Sequence, residues 1–250
     1  ARRRRRLPLQ VARKKRPLPC AAARPRPGRA GTSLWRRSKT RCLLGDCFFV
    51  PLMSQDPPRK FRSATVHEGL LRASARAFLH ALGQDEEDIA RPHIGVFHTG
   101  GEMSPCNLNL RDQAQHAKTG IYAAGGTPHE CPVVSVSDGL TMAHSGMRFS
   151  LISRELIADS VEASVRGHQW DGIFGIGACD KNLPGLMMGM VRCNVPSVFV
   201  HGGSALPGQM PSVNGRDLNV VDTYETIGKV LAGDATQDEL DAISRACLPT

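Results

Sequence analysis

Two cysteines, two aspartates and a lysine are spaced so that they could bind metals. Cys179, Asp180 and Lys181 are consecutive in a Gly-rich segment, so a turn there could direct a thiolate and a carboxylate toward two different metal centres. Cys106 and Asp138 each follow an apolar segment further upstream. Thiolates suit soft metals and iron–sulfur clusters, whereas carboxylates suit Mg²⁺ or Mn²⁺. These five residues therefore predict two kinds of metal site.

Each of these residues also has a plainer interpretation when it is taken alone. Cys179 could be a buried structural thiol. Asp138 precedes a glycine and could simply form a turn, and Lys181 could be an ordinary surface charge. The metal interpretation therefore depends on whether the fold brings these side chains together.

Other candidates carry a weaker signal. The eight cysteines include no CxxC pair and no zinc-finger spacing. Cys131 begins a predicted strand and Cys193 lies on an apolar helix face, so we interpret both as core residues. The pair Gly202 and Gly203 could cradle an anion with its backbone amides, although two glycines alone are a weak signal.

The order of apolar segments predicts an α/β domain. Short apolar segments that end in Gly-rich or polar loops are typical of buried strands, and apolar residues at every third or fourth position are typical of helices. The predicted strands are residues 93–97, 131–136, 171–176 and 197–200. The predicted helices are residues 63–82, 108–124, 153–168, 186–193 with a start near Pro184, and 237–247. This alternation indicates a three-layer sandwich around a mainly parallel sheet.

Such a sheet would place the candidate residues at one edge. Ligands of open α/β sheets bind beyond the carboxyl ends of the strands. Cys106 follows the first predicted strand, Asp138 follows the second, and Cys179 to Lys181 follow the third. We therefore expect them to converge in a metal-assisted α/β enzyme, whose reaction the residues alone leave open.

The positive charge of the chain is concentrated at its N-terminus. The 250 residues carry a formal net charge of +9, yet residues 1–52 hold sixteen Lys and Arg and a single acid, Asp46. Residues 1–58 show no helical or strand period, so we expect a basic, disordered extension. Three interpretations stay open, namely a nucleic-acid-binding arm, an organelle transit peptide, or upstream sequence before a translation start at Met53. The chain resembles a fragment at both ends.

Four segments resemble the dihydroxy-acid dehydratase/phosphogluconate dehydratase family. They are SPCNLNLRDQA (104–114), VSVSDGLTMAHSGMRFSLISRELIADSVE (134–162), GIGACDKNLPGLMMGMVRCNVPSVFVHGGSALPG (175–208) and RAC (245–247). The resemblance covers about residues 59–250 and excludes the basic head. It implies that residues 59–250 are part of the family's N-terminal α/β domain, which binds an iron–sulfur cluster and Mg²⁺, and that a C-terminal domain is missing.

The resemblance also implies a role for each candidate residue. Cys106 and Cys179 match cysteines that bind the cluster, which is 2Fe–2S in some members and 4Fe–4S in others. Asp138 and Asp180 match carboxylates that bind Mg²⁺, and Lys181 matches a lysine that becomes a further Mg²⁺ ligand when it is carbamylated. The third cluster cysteine, the last Mg²⁺ ligand and the serine base would lie beyond this chain, so the chain alone would be inactive.

The implied activity is dehydration of a 2,3-dihydroxy carboxylic acid to a 2-oxo acid. The branched-chain amino-acid branch of the family resembles the sequence best, and sugar-acid dehydratases that act on phosphogluconate, arabinonate or gluconate are the alternative. The family further implies a homodimer of the full-length enzyme, located in the cytoplasm unless the basic head directs import into an organelle. We expect neither a membrane nor a nucleic acid as partner, because no run of about 18 apolar residues occurs and the charge lies outside the domain. A non-catalytic cluster-binding or nucleic-acid-associated module anchored by the head is the hypothesis from another functional class.

Overall fold

The computed structural model describes residues 60–210 and 216–248. The basic extension over residues 1–58, and with it the predicted disorder, lies outside the described residues. The helices are α1 (Ala64–His67), α2 (Ala73–Ala81), α3 (Glu86–Ala90), α4 (Leu110–Ala123), α5 (Asp138–Thr141), α6 (Arg148–His168), α7 (Asn182–Cys193), α8 (Val220–Ala232) and α9 (Gln237–Ala246). The strands are β1 (His93–His98), β2 (Thr127–Pro132), β3 (Gly172–Gly177), β4 (Ser197–His201), β5 (Gly208–Gln209) and β6 (Asp217–Leu218).

Four strands form a parallel sheet in the order β2-β1-β3-β4. The strand β1 pairs with β2 on one side and with β3 on the other, and β3 pairs with β4. The strands β5 and β6 form a separate antiparallel pair. The predicted mainly parallel α/β sheet is therefore confirmed.

Helices cover both faces of this sheet. Val96 and Phe97 are neighbours in β1, and because successive side chains of a strand point to opposite faces, they enter two different cores. Phe97 packs in the core built from α6 and α7, together with Ile157 and Leu186. Val96 packs in the core beneath α4, which includes Leu110. The three predicted layers are thus helix, sheet and helix.

The layer formed by α6 and α7 depends on close helix packing. A Cβ atom on Gly185 would lie 2.8 Å from the backbone oxygen of Arg154, and one on Gly189 would lie 2.6 Å from the Cβ of Val161. Because such contacts are shorter than van der Waals distance, only glycine permits this approach. Cys193, at the end of α7, is buried in the same core, as its position on an apolar helix face predicted.

The helix predicted over residues 153–168 already begins at Arg148, and the one predicted over residues 186–193 begins at Asn182, but two other predicted elements differ more. The helix predicted over residues 63–82 is interrupted at Gly69, whose φ of 90° ends α1 and separates it from α2. The second strand begins at Thr127 and ends at Pro132, so most of the predicted strand 131–136 lies in the following loop. Its first half was missed because Pro128 and the polar residues after it do not look like a buried strand, yet β2 is an edge strand, where proline is tolerated.

Several elements carried no recognised sequence signal. They are α3, α8 and the β5–β6 pair, and α8 begins with a capping box in which Asn219 and Asp222 satisfy each other's backbone amides. None of the helices within residues 60–210 and 216–248 is both long and apolar enough to cross a membrane.

Candidate active site

The order in which strands are added to the sheet reverses between β1 and β3, so this is the topological switch point of the fold. After β1 the chain passes to α4 on one face of the sheet, and after β3 it passes to α7 on the other face. In open α/β sheets the crevice beyond the carboxyl ends of two such strands is the usual ligand site. The loop after β1 carries Cys106 and the loop after β3 carries Cys179, Asp180 and Lys181. Four of the five predicted site residues therefore flank this point.

The fifth residue, Asp138, reaches the same place from β2. Because β1 lies between β2 and β3, the contact of Asp138 with Lys181 requires the loop over residues 133–137 to pass the end of β1. The backbone amide of Val133 donates to the carbonyl of His98, at the last residue of β1, with a distance of 2.9 Å. Ser137 then caps the short helix α5, whose first residue is Asp138. The crossing loop explains how Asp138 comes close to a segment 43 residues later in the sequence.

Lys181 joins the two aspartates. Its Nζ atom lies 2.9 Å from Oδ2 of Asp138, and it also donates to the carboxylate of Asp180. The Asp138 side chain is 14% exposed and that of Lys181 is 22% exposed, whereas Asp180 is open to solvent. The structure thus brings Asp138, Asp180 and Lys181 together at the carboxyl edge of the sheet.

The neighbours of Asp138 and Lys181 shift the pKa values of both groups toward their charged forms. Burial raises the pKa of Asp138, but its polar neighbours Ser150, Asp180 and Lys181 outweigh burial, so the pKa of Asp138 lies below its ordinary value. Hydrogen bonds to Asp180 and Asp138 raise the pKa of the Lys181 ammonium group. The site is therefore a compact group of fixed charges with a net excess of negative charge.

A buried serine ties the loops after β1 and β3 to each other. The Oγ atom of Ser135 accepts hydrogen bonds from Nδ2 of Asn107, at 2.7 Å, and from Nδ2 of Asn182, at 2.8 Å. Asn107 follows Cys106 directly, and Asn182 follows Lys181 directly. Both asparagines are fully buried, so these hydrogen bonds are shielded from competition with water.

Sequence reasoning missed Ser135, Asn107 and Asn182 as parts of the site. All three stand inside the segments that resemble the dehydratase family, and each asparagine is adjacent to a candidate ligand. The available signal was therefore the occurrence of an amide side chain beside each proposed ligand. Amide and hydroxyl side chains of this kind hold loops in place through hydrogen bonds, which spacing alone does not reveal.

The two candidate cysteines lie in different local environments. Cys179 follows β3 and is buried, at 8% exposure, while Cys106 is half-buried in a single 3₁₀ turn, Pro105–Asn107, that precedes α4. Both carry free thiols. Cys106 packs against the core beneath α4 and Cys131 packs against the opposite core, in agreement with the core interpretation of Cys131.

The donor atoms at this edge suit a hard divalent cation and a thiolate-bound cluster. Seven buried side-chain oxygens of the described residues have no hydrogen-bond partner, and three of them belong to the candidate site, namely Oδ1 of Asp138, Oδ1 of Asn107 and Oδ1 of Asn182. Such orphaned acceptors are rare in folded proteins and call for a ligand, an ion or water. Carboxylate and amide oxygens fit Mg²⁺, and the thiols of Cys106 and Cys179 fit iron. Within residues 60–210 and 216–248, however, no three His, Cys, Asp or Glu side chains form a group that could hold a metal ion alone.

The predicted anion cradle at Gly202 and Gly203 is wrong. The amide of Gly202 donates to the carbonyl of Gly177 at 2.9 Å, and the amide of Gly203 donates to Nδ1 of His201 at 3.0 Å. Since both amides already have acceptors inside the chain, neither points toward a ligand.

The chain is similar to one known protein family and to several named proteins over most of its length. Residues 91–250 match the family described as dihydroxy-acid/6-phosphogluconate dehydratase N-terminal. Dihydroxy-acid dehydratase 3 of Bradyrhizobium diazoefficiens is 54% identical over 192 residues, which are 77% of this chain and 32% of that protein. The dihydroxy-acid dehydratase of Pelagibacter ubique is 48% identical over 198 residues, 79% of this chain and 34% of that protein. The dihydroxy-acid dehydratase of Dinoroseobacter shibae is 49% identical over 191 residues, 76% of this chain and 33% of that protein.

The chain spans about a third of the length of these curated relatives. The matched region includes both loops that flank the reversal between β1 and β3, as well as the loop and helix that carry Asp138. Given this match, the chain belongs to the dihydroxy-acid/6-phosphogluconate dehydratase family, of which it contains the N-terminal region.

Proposed function

We propose that the chain is the N-terminal part of a hydro-lyase that removes water from a 2,3-dihydroxy carboxylic acid. The observation that carries this proposal is the arrangement of Lys181 between Asp138 and Asp180, at the edge of the sheet where the segments that carry Cys106 and Cys179 begin. The names of relatives that are about half identical support the same reaction.

Asp138 and Asp180 would hold Mg²⁺, with Lys181 as a third oxygen ligand after carbamylation. The unpartnered buried Oδ1 of Asp138 supports this assignment, because a cation would satisfy that oxygen. Lys181 is placed for such a role, since its Nζ already contacts both carboxylates. The oxygen of Asn182 that has no partner lies one residue further along, where α7 begins.

Cys106 and Cys179 would hold an iron–sulfur cluster. Ser135 supports this by fixing the loops that carry them, through Asn107 beside the first cysteine and Asn182 three residues after the second. When bound, the cluster and Mg²⁺ supply Lewis acidity toward the hydroxyl and carboxylate groups of the substrate.

The reaction itself needs neither an oxidant nor a reductant. A base takes the C2 proton, the bond from C3 to its hydroxyl breaks, and the departing hydroxide receives that proton and leaves as water, while the enol that remains tautomerises to a 2-oxo acid. The residues of this chain would bind and orient the acid, since fixed charges at a partly buried edge are effective at both. The base is not among the residues that we assign.

We further propose a substrate of branched-chain amino-acid synthesis, 2,3-dihydroxy-3-methylbutanoate or its ethyl homologue. The support comes from the relatives, which are named dihydroxy-acid dehydratases. Homodimerisation, the cytoplasmic location and the division of the chain near residue 58 stay predictions.

The proposal is tested by anaerobic reconstitution of the full-length protein with iron, sulfide and Mg²⁺. The assay measures 2-oxo acid release from 2,3-dihydroxy-3-methylbutanoate, gluconate and arabinonate under the same conditions. We expect release from the first acid. Release only from a sugar acid would contradict the proposed substrate, and no release from any of the three would contradict the dehydratase.

A further inference from the structure

Three histidines make the same local contact, in which Nδ1 of the ring accepts a hydrogen bond from the backbone amide two residues later. Nδ1 of His98 accepts from the backbone amide of Gly100 at 3.0 Å. The same contact, also at 3.0 Å, joins His144 to the amide of Gly146 and His201 to the amide of Gly203. A backbone amide can only donate, so Nδ1 of each ring is an unprotonated acceptor and the ring proton of the neutral form is on Nε2.

His98 differs from the other two because its ring is buried and anchored at both nitrogens. It is 2% exposed, whereas His144 and His201 are exposed. The Nε2 proton of His98 is donated to Oε1 of Glu130, 3.2 Å away. The backbone and a carboxylate thus fix the plane of the ring and its tautomer together.

Glu130 is itself held firmly as an acceptor. Its Oε2 atom receives hydrogen bonds from Nε2 of Gln115, at 2.6 Å, and from Nζ of Lys118, at 2.9 Å. Burial raises the pKa of Glu130, but the hydrogen bonds from Lys118, Gln115 and His98 outweigh it and lower the pKa to about 2. The carboxylate is therefore ionised at neutral pH and available to His98.

The turn that His98 closes leads directly to Cys106. Gly100 is packed so closely that a Cβ atom there would lie 2.8 Å from the backbone nitrogen of Arg111 and 2.9 Å from Nδ1 of His98. The next amide, that of Gly101, donates to the carbonyl of Asn107 at 3.2 Å. The segment from His98 to Asn107 is thus closed on itself, and Cys106 lies within it.

We propose that His98, anchored by Glu130, is a positioning residue that holds the loop of Cys106 in its binding geometry. The inference rests on the proposed role of Cys106 as a cluster ligand. His98 acts through the amide of Gly100 and makes no direct contact with the thiol. Its hydrogen bond limits how far the loop can open, so its loss should expose Cys106 and disturb whatever that thiol holds.

Two substitutions at residue 98 test the contacts of the two ring nitrogens one at a time. His98→Asn places an amide oxygen near the position of Nδ1, so it keeps the acceptor for Gly100 and loses the contact with Glu130. His98→Gln places an amide nitrogen near the position of Nε2, so it keeps the contact with Glu130 and loses the acceptor. The matched control is His201→Gln, which removes the same kind of contact from the exposed turn after β4.

The first readout needs no cluster and uses the 250-residue chain. It is the rate at which iodoacetamide alkylates Cys106, followed by mass spectrometry with Cys179 as internal reference, together with deuterium exchange of the amide of Gly100. A single hydrogen bond worth about 1 kcal/mol corresponds to an opening equilibrium that is about fivefold larger. We therefore expect His98→Gln to raise both rates about fivefold relative to wild type, and His98→Asn and His201→Gln to leave them within about twofold.

Equal rates in His98→Gln and wild type would overturn the proposal, as would equally raised rates in His98→Gln and His98→Asn. Should His98→Gln fail to fold, His98→Leu decides instead, because its apolar side chain suits the buried position and offers the amide of Gly100 no acceptor, so the alkylation rate should again rise about fivefold. No rise in that variant would also overturn the proposal.

The second readout is the visible circular dichroism of the cluster in the reconstituted full-length protein. We expect a changed spectrum in His98→Gln and a wild-type spectrum in His98→Asn. Failure of the wild-type protein to take up any cluster would refute the proposed function, while the alkylation and exchange rates would still decide whether His98 positions the loop.

Discussion

The two ends of the parallel sheet both carry clusters of titratable side chains, which differ in charge and in hydrogen bonding. At the carboxyl end, Asp138, Asp180 and Lys181 contact one another as charged groups, and the pKa of Asp138 is lowered while that of Lys181 is raised. At the amino end, a row of aromatic rings is stacked. Burial lowers the pKa values of His93 and His129 in this row, so both rings stay neutral at pH 7.

The row at the amino end runs without a break from His67, the last residue of α1, to His168, the last residue of α6. The ring of His93 lies 5.7 Å from that of His67 and 4.9 Å from that of His129, measured between centroids. The row continues from His129 to Trp170 at 5.3 Å and from Trp170 to His168 at 5.2 Å. Nδ1 of His93 and Nε2 of His129 share a hydrogen bond of 3.0 Å.

The two clusters also differ in the kind of buried group that they leave without a partner. The stacked rings satisfy one another by packing and by hydrogen bonds inside the chain, as expected of a structural element. The charged cluster leaves an oxygen of the Asp138 carboxylate buried without a partner, whereas the unpartnered oxygens near the amino end, Oγ of Ser63 and Oε1 of Gln84, belong to neutral side chains. Burying a charged group without a partner costs more than burying a neutral one, so the carboxyl end is the better candidate for a cation site.

The largest effect should come from Cys179→Ser at the carboxyl end. In the reconstituted full-length protein we expect loss of the visible absorption of the cluster and a fall in dehydratase activity of at least about 100-fold, because losing a ligand should cost no less than losing a partner of a ligand. Cys193→Ser is the control, since burial raises the pKa of that core thiol. It should keep the cluster and cost about 1–3 kcal/mol in stability for the buried hydroxyl. Cluster loss in both variants would contradict the assignment of Cys179.

Lys181→Arg separates charge from ligand chemistry. Arginine keeps the positive charge that pairs with Asp138 and Asp180, so the thermal midpoint should stay near that of wild type. A guanidinium group cannot form the lysine carbamate, so dehydratase activity of the full-length enzyme should fall by about 10–100-fold. Lys181→Met should lower both activity and thermal midpoint. Full activity in Lys181→Arg would show that Lys181 serves only to pair charges.

His129→Phe tests the amino end by its pH dependence. Burial, followed by the neighbouring His93 and His168, lowers the pKa of His129 to about 4 from an ordinary value near 6.5. The unfolded chain therefore binds more protons than the folded chain between these values, so the stability falls as the pH decreases from about 6.5 to about 4.

The contribution of His129 to that fall is up to about 3 kcal/mol by the linkage relation. Phenylalanine keeps a ring in the row without a titrating group, so urea unfolding between pH 7 and pH 4 should show a flatter pH dependence in the variant. Identical slopes in His129→Phe and wild type would mean that His129 is not held neutral. Activity at pH 7 should be unaffected if the amino end is purely structural.

Ser135→Ala is expected to give the smallest effect of the four substitutions, after those at Cys179, Lys181 and His129. The substitution leaves the side-chain amides of Asn107 and Asn182 without an acceptor, which should cost about 1–3 kcal/mol in urea unfolding. Ser164→Ala is the matched control, because that hydroxyl makes only a 3.8 Å contact with the sulfur of Cys131. Its cost should stay within about 0.5 kcal/mol. Equal costs would mean that Ser135 does not join the two loops.

The sequence was sufficient to predict the layers of the fold and the edge at which Asp138, Asp180 and Lys181 meet. The strands β1, β3 and β4 are apolar and end in Gly-rich loops, so their pattern is plain. Prediction was poorer where the tertiary context decides the structure. Pro128 is compatible with a strand only because β2 lies at the edge of the sheet, and the interruption at Gly69 is visible only in its backbone angle.

The same limit applies to the site. Spacing predicted that Asp138 would approach Cys179–Lys181, but not that residues 133–137 cross the end of β1 to bring it there. The contacts of Ser135, Asn107 and Asn182 depend on which way buried side chains point, and no periodicity encodes that direction. The turn closed by His98 is likewise recognisable only after Glu130 is seen beside its ring.

The central claim is that one edge of the sheet holds a thiolate-bound iron centre beside a carboxylate-bound cation. The most direct measurement is anomalous X-ray scattering at the iron edge from crystals of the reconstituted full-length protein, with Mn²⁺ replacing Mg²⁺ and recorded at its own edge. We predict an iron signal within bonding distance of the sulfurs of Cys106 and Cys179, and a manganese signal between Asp138 and Asp180. Iron bound elsewhere, or manganese away from these two carboxylates, would contradict the claim.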